Sequence, residues 1–572
     1  MLDLLLCAGT VLAFGYVVLN HDEIIFRAGI ATLPDIILGV VAIVIVLEGT
    51  RRTTGWALVI LAVIFLLYGF YGQYLPRSLG GHGGFTFQRI ITEVYLSLNG
   101  VFGIVTYVIF KYVVLFVLFG KILEQSGAMN FVMNLAQALV GRICGGPAMV
   151  AVVSSGMMGT VSGSPLANVM ITGTITIPLM KKIGFKPHVA GAVEAAASTG
   201  GQFMPPVMGA SAFLIMEFLG ISYIDVIKAA FIPAALYFSA LFAAVYVYSR
   251  RSGLRGLPSG ELPRLGQVLR QREALPFVGG IVVLLAFLIH KYSPMMAAIY
   301  AMATAVLLSQ FSEKRINVRR AVVVLHKGAG DFAGLSAACA TVSIIVALTL
   351  LSGLAVRFSS LVISIAGGQL YLILISCMVA SMILGMGMPT AIAYVILAIT
   401  VAPALIEMGV LPLAAHLFIF YSGIMAMITP PVALTAYAAA TIAEANFWRT
   451  GFQAAILGLP AYLLPYAFVM DSSLLMMGSP LRIVLSIATA ALGVVVLSFA
   501  LIGRLRSRLE MLQRVLLLAG SILLIMPRLQ LSILGLAITI AAVLPSLKAP
   551  KQWAGATHEY IIRLVNAVWS RE

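Results

Sequence analysis

The chain has 572 residues, 61% of them hydrophobic and 10% charged, with a mean hydropathy of +1.06. Soluble domains carry about 25% charged residues, so a water-soluble fold is excluded, and apolar runs of helix length point to an all-α polytopic membrane protein rather than a barrel. The net charge of +16 sits in short loops (Arg51-Arg52, Lys181-Lys182-Lys186, Arg250-Arg251-Arg255, Lys314-Arg315-Arg319-Arg320 and Arg504-Arg506-Arg508), which is positive-inside topology with anionic lipid headgroups as partner and no nucleic acid.

From the N-terminus, apolar runs at 3–19, 33–49 and 55–75 predict three spans, with Arg51-Arg52 marking a cytoplasmic loop. The start "MLDLLLCAGT" has no basic n-region, and Leu6 before Cys7 does not suit a lipoprotein site, so the first run is read as a retained span. The four cysteines, Cys7, Cys144, Cys339 and Cys377, have neither metal nor disulfide spacing. A loop, "RSLGGHGGFTFQR", follows on the outside by alternation, and a run at 100–124 returns to the cytoplasm.

From there to about Tyr466 the chain reads as two related halves. Gly145-Gly146 pairs with Gly367-Gly368, "GSP" at 163–165 with "GMP" at 387–389, and Pro178 with Pro403. Pro187 pairs with Pro412, "PPV" at 205–207 with "PPV" at 430–432, and Ala229-Ala230 with Ala454-Ala455, the offset drifting only from 222 to 225. Arg142, Lys181, Lys182 and Lys186 flank the first "GSP" segment, whereas only Arg357 and Glu407 flank "GMP", so the halves are expected to be inverted. Between them a basic loop, 250–273, leads into spans near 275–290 and 294–311. Spans near 481–503, 511–527 and 530–545 end in a tail with Lys548, Lys551 and Arg563. The sum is about fourteen spans plus two re-entrant hairpins, divided at 1–99, 100–249, 250–325, 326–470 and 471–572.

Within each half the pattern predicts a hairpin and a broken helix, the architecture of a secondary transporter. The runs 147–161 and 165–180 are short for spans, Ser162-Gly163-Ser164 makes the reversal, and Pro165 suits the first helical position with Ser164 as N-cap. "MGMPTAIAY" repeats this around Gly385, Gly387 and Pro389, although Met388 is a poor cap. A helix N-terminus favours a substrate carboxylate. In "STGGQFMPPVMGAS" Pro205 and Pro206 have no N–H, so the carbonyls of Gly201 and Gln202 lose their helical donor. Ala426 and Met427 stand in the same relation to Pro430-Pro431, with the Thr429 hydroxyl nearby. In lipid such a break survives only beside protein, water or an ion, and neutral oxygens of this kind suit a dehydrated Na⁺.

Charges inside the spans are few. Glu194, about two turns before the Gly-Gly break, is a candidate proton or ion carboxylate; Lys111 reads as a snorkelling or paired lysine, and Glu217 and Asp225 as headgroup-facing. Gln202 and Asn168 are neutral and close to the breaks, suited to polar readout of substrate or ion.

The stretch "SGSPLANVMITGTITIPLMKKIGFKPHVAGAVEAAASTGGQFMPPVMGASAFLIMEFLG" resembles the signature region of the large membrane subunit of tripartite ATP-independent periplasmic (TRAP) transporters. The likeness, to the fused-permease, TAXI-type branch, runs through 90–470, with 1–99 corresponding loosely to the small subunit. The resemblance implies an inner-membrane, elevator-type symporter, not an enzyme, that imports small organic acids such as dicarboxylates or amino acids from a TAXI-type periplasmic binding protein. The mobile part would be 127–249 and 353–470. Na⁺ is the expected coupling ion, with H⁺ left open by Glu194, and no other cofactor is implied. Residues and resemblance together give a candidate cation set of Ser162, Gly163, Ser164, Gly201, Gln202, Gly385, Gly387, Thr390, Ala426, Met427 and Thr429. The candidate substrate set is Ser164, Asn168, Gln202, Ser211, Thr390 and Thr435.

Other classes fit less well. There is no HExxH, GxSxG or intramembrane aspartate pair for an enzyme, and no Walker A sequence for an ATP-driven pump. A channel could also use broken helices, but inverted halves favour alternating access. A carrier that takes substrate without a soluble partner is the remaining alternative.

Overall fold

The computed structural model describes residues 1–548 apart from Ala28, 77–79, Ser259, Glu261 and Arg506. The basic positions Arg506, Lys551 and Arg563 therefore lie outside the described residues, as does the start of the 77–89 loop. The described residues are helical almost throughout; their only extended pairing is a bridge between Arg504 and Arg508. Seven helices among them are long and apolar enough to cross a membrane, and a further set of shorter apolar helices lies before, between and after these.

The N-terminal helices Leu2–Leu19, Leu33–Thr54 and Trp56–Tyr71 match the three expected spans. Leu33–Thr54 starts at a reciprocal cap between Thr32 and Asp35, with Pro34 in its first turn, and ends at Gly55, whose φ of 87° turns the chain into the next helix. Leu2–Leu19 packs on Leu33–Thr54, which with Trp56–Tyr71 packs on Val318–Ser352, a 35-residue helix. The Thr50 and Thr341 hydroxyls, 2.7 Å apart, and a 2.8 Å bond from Thr50 to the Ala337 carbonyl join the two inside the apolar layer.

Two elements differ from the sequence expectation. Part of the outside loop folds as the helix Phe87–Tyr95, started by the Thr86 hydroxyl on Arg89 N (3.3 Å), with Ile90, Ile91, Val94 and Tyr95 buried. It is too short to register as a span, and one apolar face suffices to dock it. The basic loop before the second half is shorter than expected because Asn317 caps a helix that takes Arg319 and Arg320 into its first turn.

The same order of elements recurs in the two halves. Gly146–Ser162, Pro165–Asn168, Pro187–Gly200, Ala210–Leu219 and Tyr223–Arg251 correspond to Leu370–Gly385, Thr390–Thr400, Pro412–Met425, Leu434–Ala443 and Phe447–Leu457. Their first residues differ by 224 or 225 throughout. In the first hairpin the descending arm continues from Asn168 through a π turn, Val169–Gly173, into Thr174–Lys182. The halves also exchange partners. Ala210–Leu219 packs on Thr390–Thr400 and Pro412–Met425, while Leu434–Ala443 packs on Pro187–Gly200 and Thr174–Lys182. Each broken helix therefore holds the other half's hairpin, and the polypeptide breaks meet at the centre.

The remaining helices sit outside this unit. Ile104–Val108, Ile109–Val113 and Val114–Gln125 form one continuous span with a π turn at its middle, and Ala274–Ile289 and Pro294–Ser309 pair with each other beside it. Pro480–Ile502 runs along Tyr223–Arg251, held by Ser498 to the Ala240 carbonyl (2.9 Å) and Arg251 to the Ile502 carbonyl (2.7 Å).

Candidate functional site

Both hairpins turn in the same way. Gly163 and Gly387 adopt φ of 61° and 75°, the left-handed region that glycine enters without strain. In the first, the Ser164 hydroxyl accepts from Ala167 N (3.3 Å) and Pro165 occupies the first helical turn, as the sequence predicts. In the second, the residue before the helix is Pro389, not Met388, and no side chain caps it, so the first amide groups of Thr390–Thr400 remain open to another acceptor.

The first hairpin crosses the first break at backbone contact. A Cβ added to Gly159 would lie 2.4 Å from the Gly201 Cα, and one on Gly201 would lie 2.5 Å from the Gly159 Cα. The second half repeats the crossing with slightly more room: a Cβ on Gly385 would meet the Gly423 carbonyl at 3.0 Å and the Ala426 Cβ at 3.1 Å. Glycine is therefore required here for approach, not for backbone angle.

At the breaks, three of the four carbonyls deprived of a helical donor by proline find others among the described residues. Gly201 O accepts from Met204 N (3.3 Å) and Gln202 O from Gly209 N (2.9 Å), while Met427 O accepts from Thr435 N (3.0 Å), nearly the same closure in the second half. Each of these oxygens keeps one lone pair. The Thr429 hydroxyl is committed elsewhere, to the Met425 carbonyl (2.6 Å) and the Tyr462 hydroxyl (2.5 Å).

Gln202 ties the pieces together. Its Nε2 donates to the Gly163 carbonyl at the first tip (2.6 Å) and to the Thr390 hydroxyl at the second (2.9 Å). One side chain thus joins a break to both hairpins. Phe203, the next residue, stacks on Tyr421 of the second half with ring centroids 4.4 Å apart.

Around this junction lie buried oxygens without a hydrogen-bond partner among the described residues: Ser162 Oγ, Asn168 Oδ1, Thr199 Oγ1, Gln202 Oε1, Ser211 Oγ, Tyr421 OH and Thr435 Oγ1. Leaving a buried acceptor unsatisfied costs about 1–3 kcal/mol, so such a concentration needs an explanation. Ser211 and Thr435 occupy repeat-related positions, 224 residues apart, at the start of the second segment of each broken helix. Ser162, Asn168, Gln202, Ser211 and Thr435 are all legible in the sequence as candidates; Thr199 and Tyr421 have no repeat partner and carry no such signal. The set is one of neutral, hard oxygen donors, which suits an alkali cation and the polar end of a small acid. Among the described residues no cluster of three or more His, Cys, Asp or Glu offers a transition-metal donor set.

Glu194 stands apart from the tips. It is fully buried, and its Oε1 accepts from Ser155 (2.6 Å), Thr172 (2.5 Å) and Ser198 (3.0 Å), its Oε2 from Thr176 (2.5 Å). The four hydroxyls of this cage are not marked as a set in the sequence: Thr172 and Thr176 follow Asn168 at four-residue intervals on one helical stripe, but nothing there points to Glu194. Lys111, in the π turn of the span Ile104–Gln125, donates to the Tyr107 hydroxyl and lies over the Tyr107 and Tyr112 rings at 4.5 and 4.9 Å, a paired lysine away from the tips. A cavity of about 750 Å³ lies on the outer side of the first break, against Pro205, Pro206, Phe238, Phe277 and Val495, and its walls are almost wholly apolar.

Comparison with known proteins points to one family. The family model described as Tripartite ATP-independent periplasmic transporter, DctM component, matches residues 41–483, more than half of the chain. The uncharacterized protein YgiK of Salmonella typhimurium is 30% identical over 210 residues, 35% of this chain and 47% of that one. The sialic acid TRAP transporter permease protein SiaT of Haemophilus influenzae is 25% identical over 36% of this chain and 33% of its own. The isethionate TRAP transporter permease protein DctMQ of Oleidesulfovibrio alaskensis is 24% identical over 58% of this chain and 52% of its own. The chain thus spans about half or less of each of these relatives.

Proposed function

Since this chain belongs to the tripartite ATP-independent periplasmic transporter family, as a DctM component, we propose that it imports a small organic acid delivered by a soluble periplasmic binding protein of the TAXI type, using a Na⁺ gradient. The family is one of transporters, multi-pass proteins of the inner membrane, and not of enzymes. The carrying observation is the group of partnerless buried oxygens where two hairpin tips and two breaks converge, with Ser211 and Thr435 at repeat-related positions. A pair of neutral oxygen sites related by the repeat is what symmetric cation binding needs, one under each tip. Ser162, Gly163, Ser164, Gly201 and Gln202 would serve the first. Gly385, Gly387, Thr390, Ala426 and Met427 would serve the second, with Thr429 reaching it only by turning from Tyr462. The substrate would lie between, against Ser164, Asn168, Gln202, Ser211, Thr390 and Thr435, its acid group toward the open amides of a descending hairpin arm. Relatives that carry sialic acid and isethionate support an organic acid as the class.

The interlocked halves favour movement as one body. Because Gln202 bonds to both tips and each broken helix packs on the other hairpin, the tips cannot separate without breaking buried contacts. Elevator motion of 127–249 and 353–470 against the remaining helices needs no such break. In this reading 1–99 acts as the small-subunit-like part of the scaffold, 250–325 connects the repeats 100–249 and 326–470, and 471–572 supplies the terminal spans.

The test is uptake of labelled dicarboxylates, amino acids and sialic acid into proteoliposomes, with and without the binding protein, under an inward Na⁺ or H⁺ gradient. Saturable uptake that needs both the binding protein and Na⁺ is expected. Uptake without the protein would make it a stand-alone carrier, and non-saturating flux would make it a channel.

A further inference from the structure

The Glu194 cage has no place in the cation and substrate sites just described. A carboxyl with no exposure inside a membrane protein is costly to keep charged, so its presence needs a reason. Helix packing does not supply one, because the second half builds the same fold without it. At the positions related by the repeat, Ser155, Thr172, Thr176, Glu194 and Ser198 are replaced by Val379, Leu397, Val401, Ile419 and Gly423. Every polar member of the cage has an apolar counterpart, so a hairpin of this design packs on its broken helix with no carboxyl at all.

An ion is not what fills the cage. The carboxyl–hydroxyl separations of 2.5–3.0 Å are direct hydrogen bonds, leaving no gap for a cation between the oxygens. What the cage can accommodate is a change in protons. With Glu194 charged, four hydroxyls donate to it, which stabilises the anion. With Glu194 protonated, three of the four have a second acceptor in reach. Ser155 can turn to Thr172 Oγ1 (3.0 Å), Thr172 to the Asn168 carbonyl (2.8 Å) and Thr176 to the Thr172 carbonyl (3.1 Å). The new carboxyl hydrogen is then donated to one of the released hydroxyl oxygens. Both protonation states are therefore satisfied without an orphaned donor, which a merely structural carboxyl does not require.

The cage also touches the moving parts. Ser155 lies on the ascending arm of the first hairpin and Thr172 and Thr176 on the descending arm, while Glu194 and Ser198 belong to the broken helix. Asn168, one turn before Thr172, donates to the Ser155 carbonyl (2.8 Å) and presents its unpartnered Oδ1 at the candidate substrate site. All five cage residues lie within 127–249, so the cage travels as one piece with the moving unit. We propose that Glu194 takes up a proton on one side of the membrane and releases it on the other as the unit 127–249 and 353–470 moves, so that each transport cycle carries a proton in addition to the cations at the tips; this rests on the import reading above.

No other charge disturbs the assignment. The helix Gly146–Ser162, the turn Pro165–Gly173 and the short turn Gly201–Phe203 carry no titratable side chain. From the other elements packed on this helix come Lys181 and Lys182, Tyr437 and Arg449, and, along Tyr223–Arg251, Tyr223, Asp225, Lys228, Tyr237, Tyr246, Tyr248, Arg250 and Arg251, with His188 on its own first turn. Lys181 is paired with Glu444, the Tyr237 hydroxyl donates to the Ala196 carbonyl (2.8 Å), and none of these groups hydrogen-bonds Glu194.

The experiment uses the full chain in liposomes. Infrared difference spectra between alkaline and acidic buffer should show a protonated carboxylic-acid carbonyl band that Glu194→Gln lacks. In the transport arm, a pH-sensitive dye inside the vesicles should report proton movement during uptake that Glu194→Gln reduces about tenfold or more, while substrate exchange across the same membrane continues. A second variant copies the apolar set of the other half: Ser155→Val, Thr172→Leu, Thr176→Val, Glu194→Ile and Ser198→Gly. It keeps the test open if the single substitution does not fold. Wild-type spectra without a titrating acid band, or the same band in either variant, would overturn the proposal. Absence of uptake of any acid would fail the import reading instead, since the spectroscopic arm needs no substrate.

Discussion

The crossing of the first hairpin over the first break gives the sharpest mechanical prediction. A methyl group on Gly201 would lie 2.5 Å from the Gly159 Cα and 3.1 Å from the Ser155 carbonyl, and one on Gly159 would lie 2.4 Å from the Gly201 Cα. Carbon atoms rest at roughly 3.5–4.0 Å, so the two backbones must part by about 1 Å. Neither partner is the end of a flexible side chain, so nothing but backbone can give. Overpacking of this kind costs about 1–3 kcal/mol, and the separation also draws Gln202 away from the Gly163 carbonyl. Gly209 is the internal control. It lies in the same break, at a negative φ of −87°, and its Cβ would meet Gln202 Nε2 at 3.4 Å and the Gly163 carbonyl at 3.5 Å, ordinary contact distances. Thermal unfolding of the purified chain, followed by tryptophan fluorescence and by uptake, should therefore show Gly159→Ala and Gly201→Ala destabilised and inactive. Gly209→Ala should fall within about 0.5 kcal/mol of wild type. Equal midpoints for all three variants would refute the steric reasoning.

Further expectations follow from single contacts. Replacing Na⁺ by a large organic cation should lower the thermal midpoint of the wild-type chain, and Ser211→Ala or Thr435→Ala should each blunt that Na⁺ dependence. Thr50→Val takes the acceptor from the Thr341 hydroxyl and the side-chain donor from the Ala337 carbonyl, which keeps its helical donor, and should cost about 1 kcal/mol in unfolding measurements, with the Na⁺ dependence intact. The Lys181 ammonium, 2.9 Å away, holds the exposed Glu444 carboxyl below its ordinary range. Its contribution is present above the unfolded carboxylate pKa and is lost as pH falls through the lowered value. The midpoints of wild type and Lys181→Met should accordingly converge in acid, and a gap that widens in acid would contradict the pairing.

Much of this architecture is legible in the residues, because membrane helices announce themselves by apolar length and breaks by Gly and Pro. The paired "GSP" and "GMP" turns and the two "PPV" breaks mark the hairpins and broken helices to within a few residues. Loop edges are less legible: Phe87–Tyr95 hides in a Gly-rich stretch, and Val318–Ser352 begins inside a basic run. At the site, Ser162, Asn168, Gln202, Ser211 and Thr435 stand beside Gly or Pro landmarks and can be found from them. Ser155, Thr172, Thr176 and Ser198 cannot, because their common partner is Glu194 and only tertiary packing brings them to it. The side-chain direction of Thr429, toward Tyr462, is likewise set by a helix about 30 residues on.

The most direct test of the moving-body account is a pair of cross-links in a chain whose four free cysteines have been replaced. Tyr112, on the span Ile104–Gln125, stacks on Phe213 of the first broken helix with ring centroids 5.9 Å apart, across the proposed seam. Thr50 and Thr341 lie within one side of it, hydroxyls 2.7 Å apart. Bridging Tyr112→Cys to Phe213→Cys with a short thiol-cleavable reagent should stop gradient-driven uptake until the bridge is reduced, whereas bridging Thr50→Cys to Thr341→Cys should leave it unchanged. Full uptake with the seam bridged would contradict elevator movement of the hairpin unit.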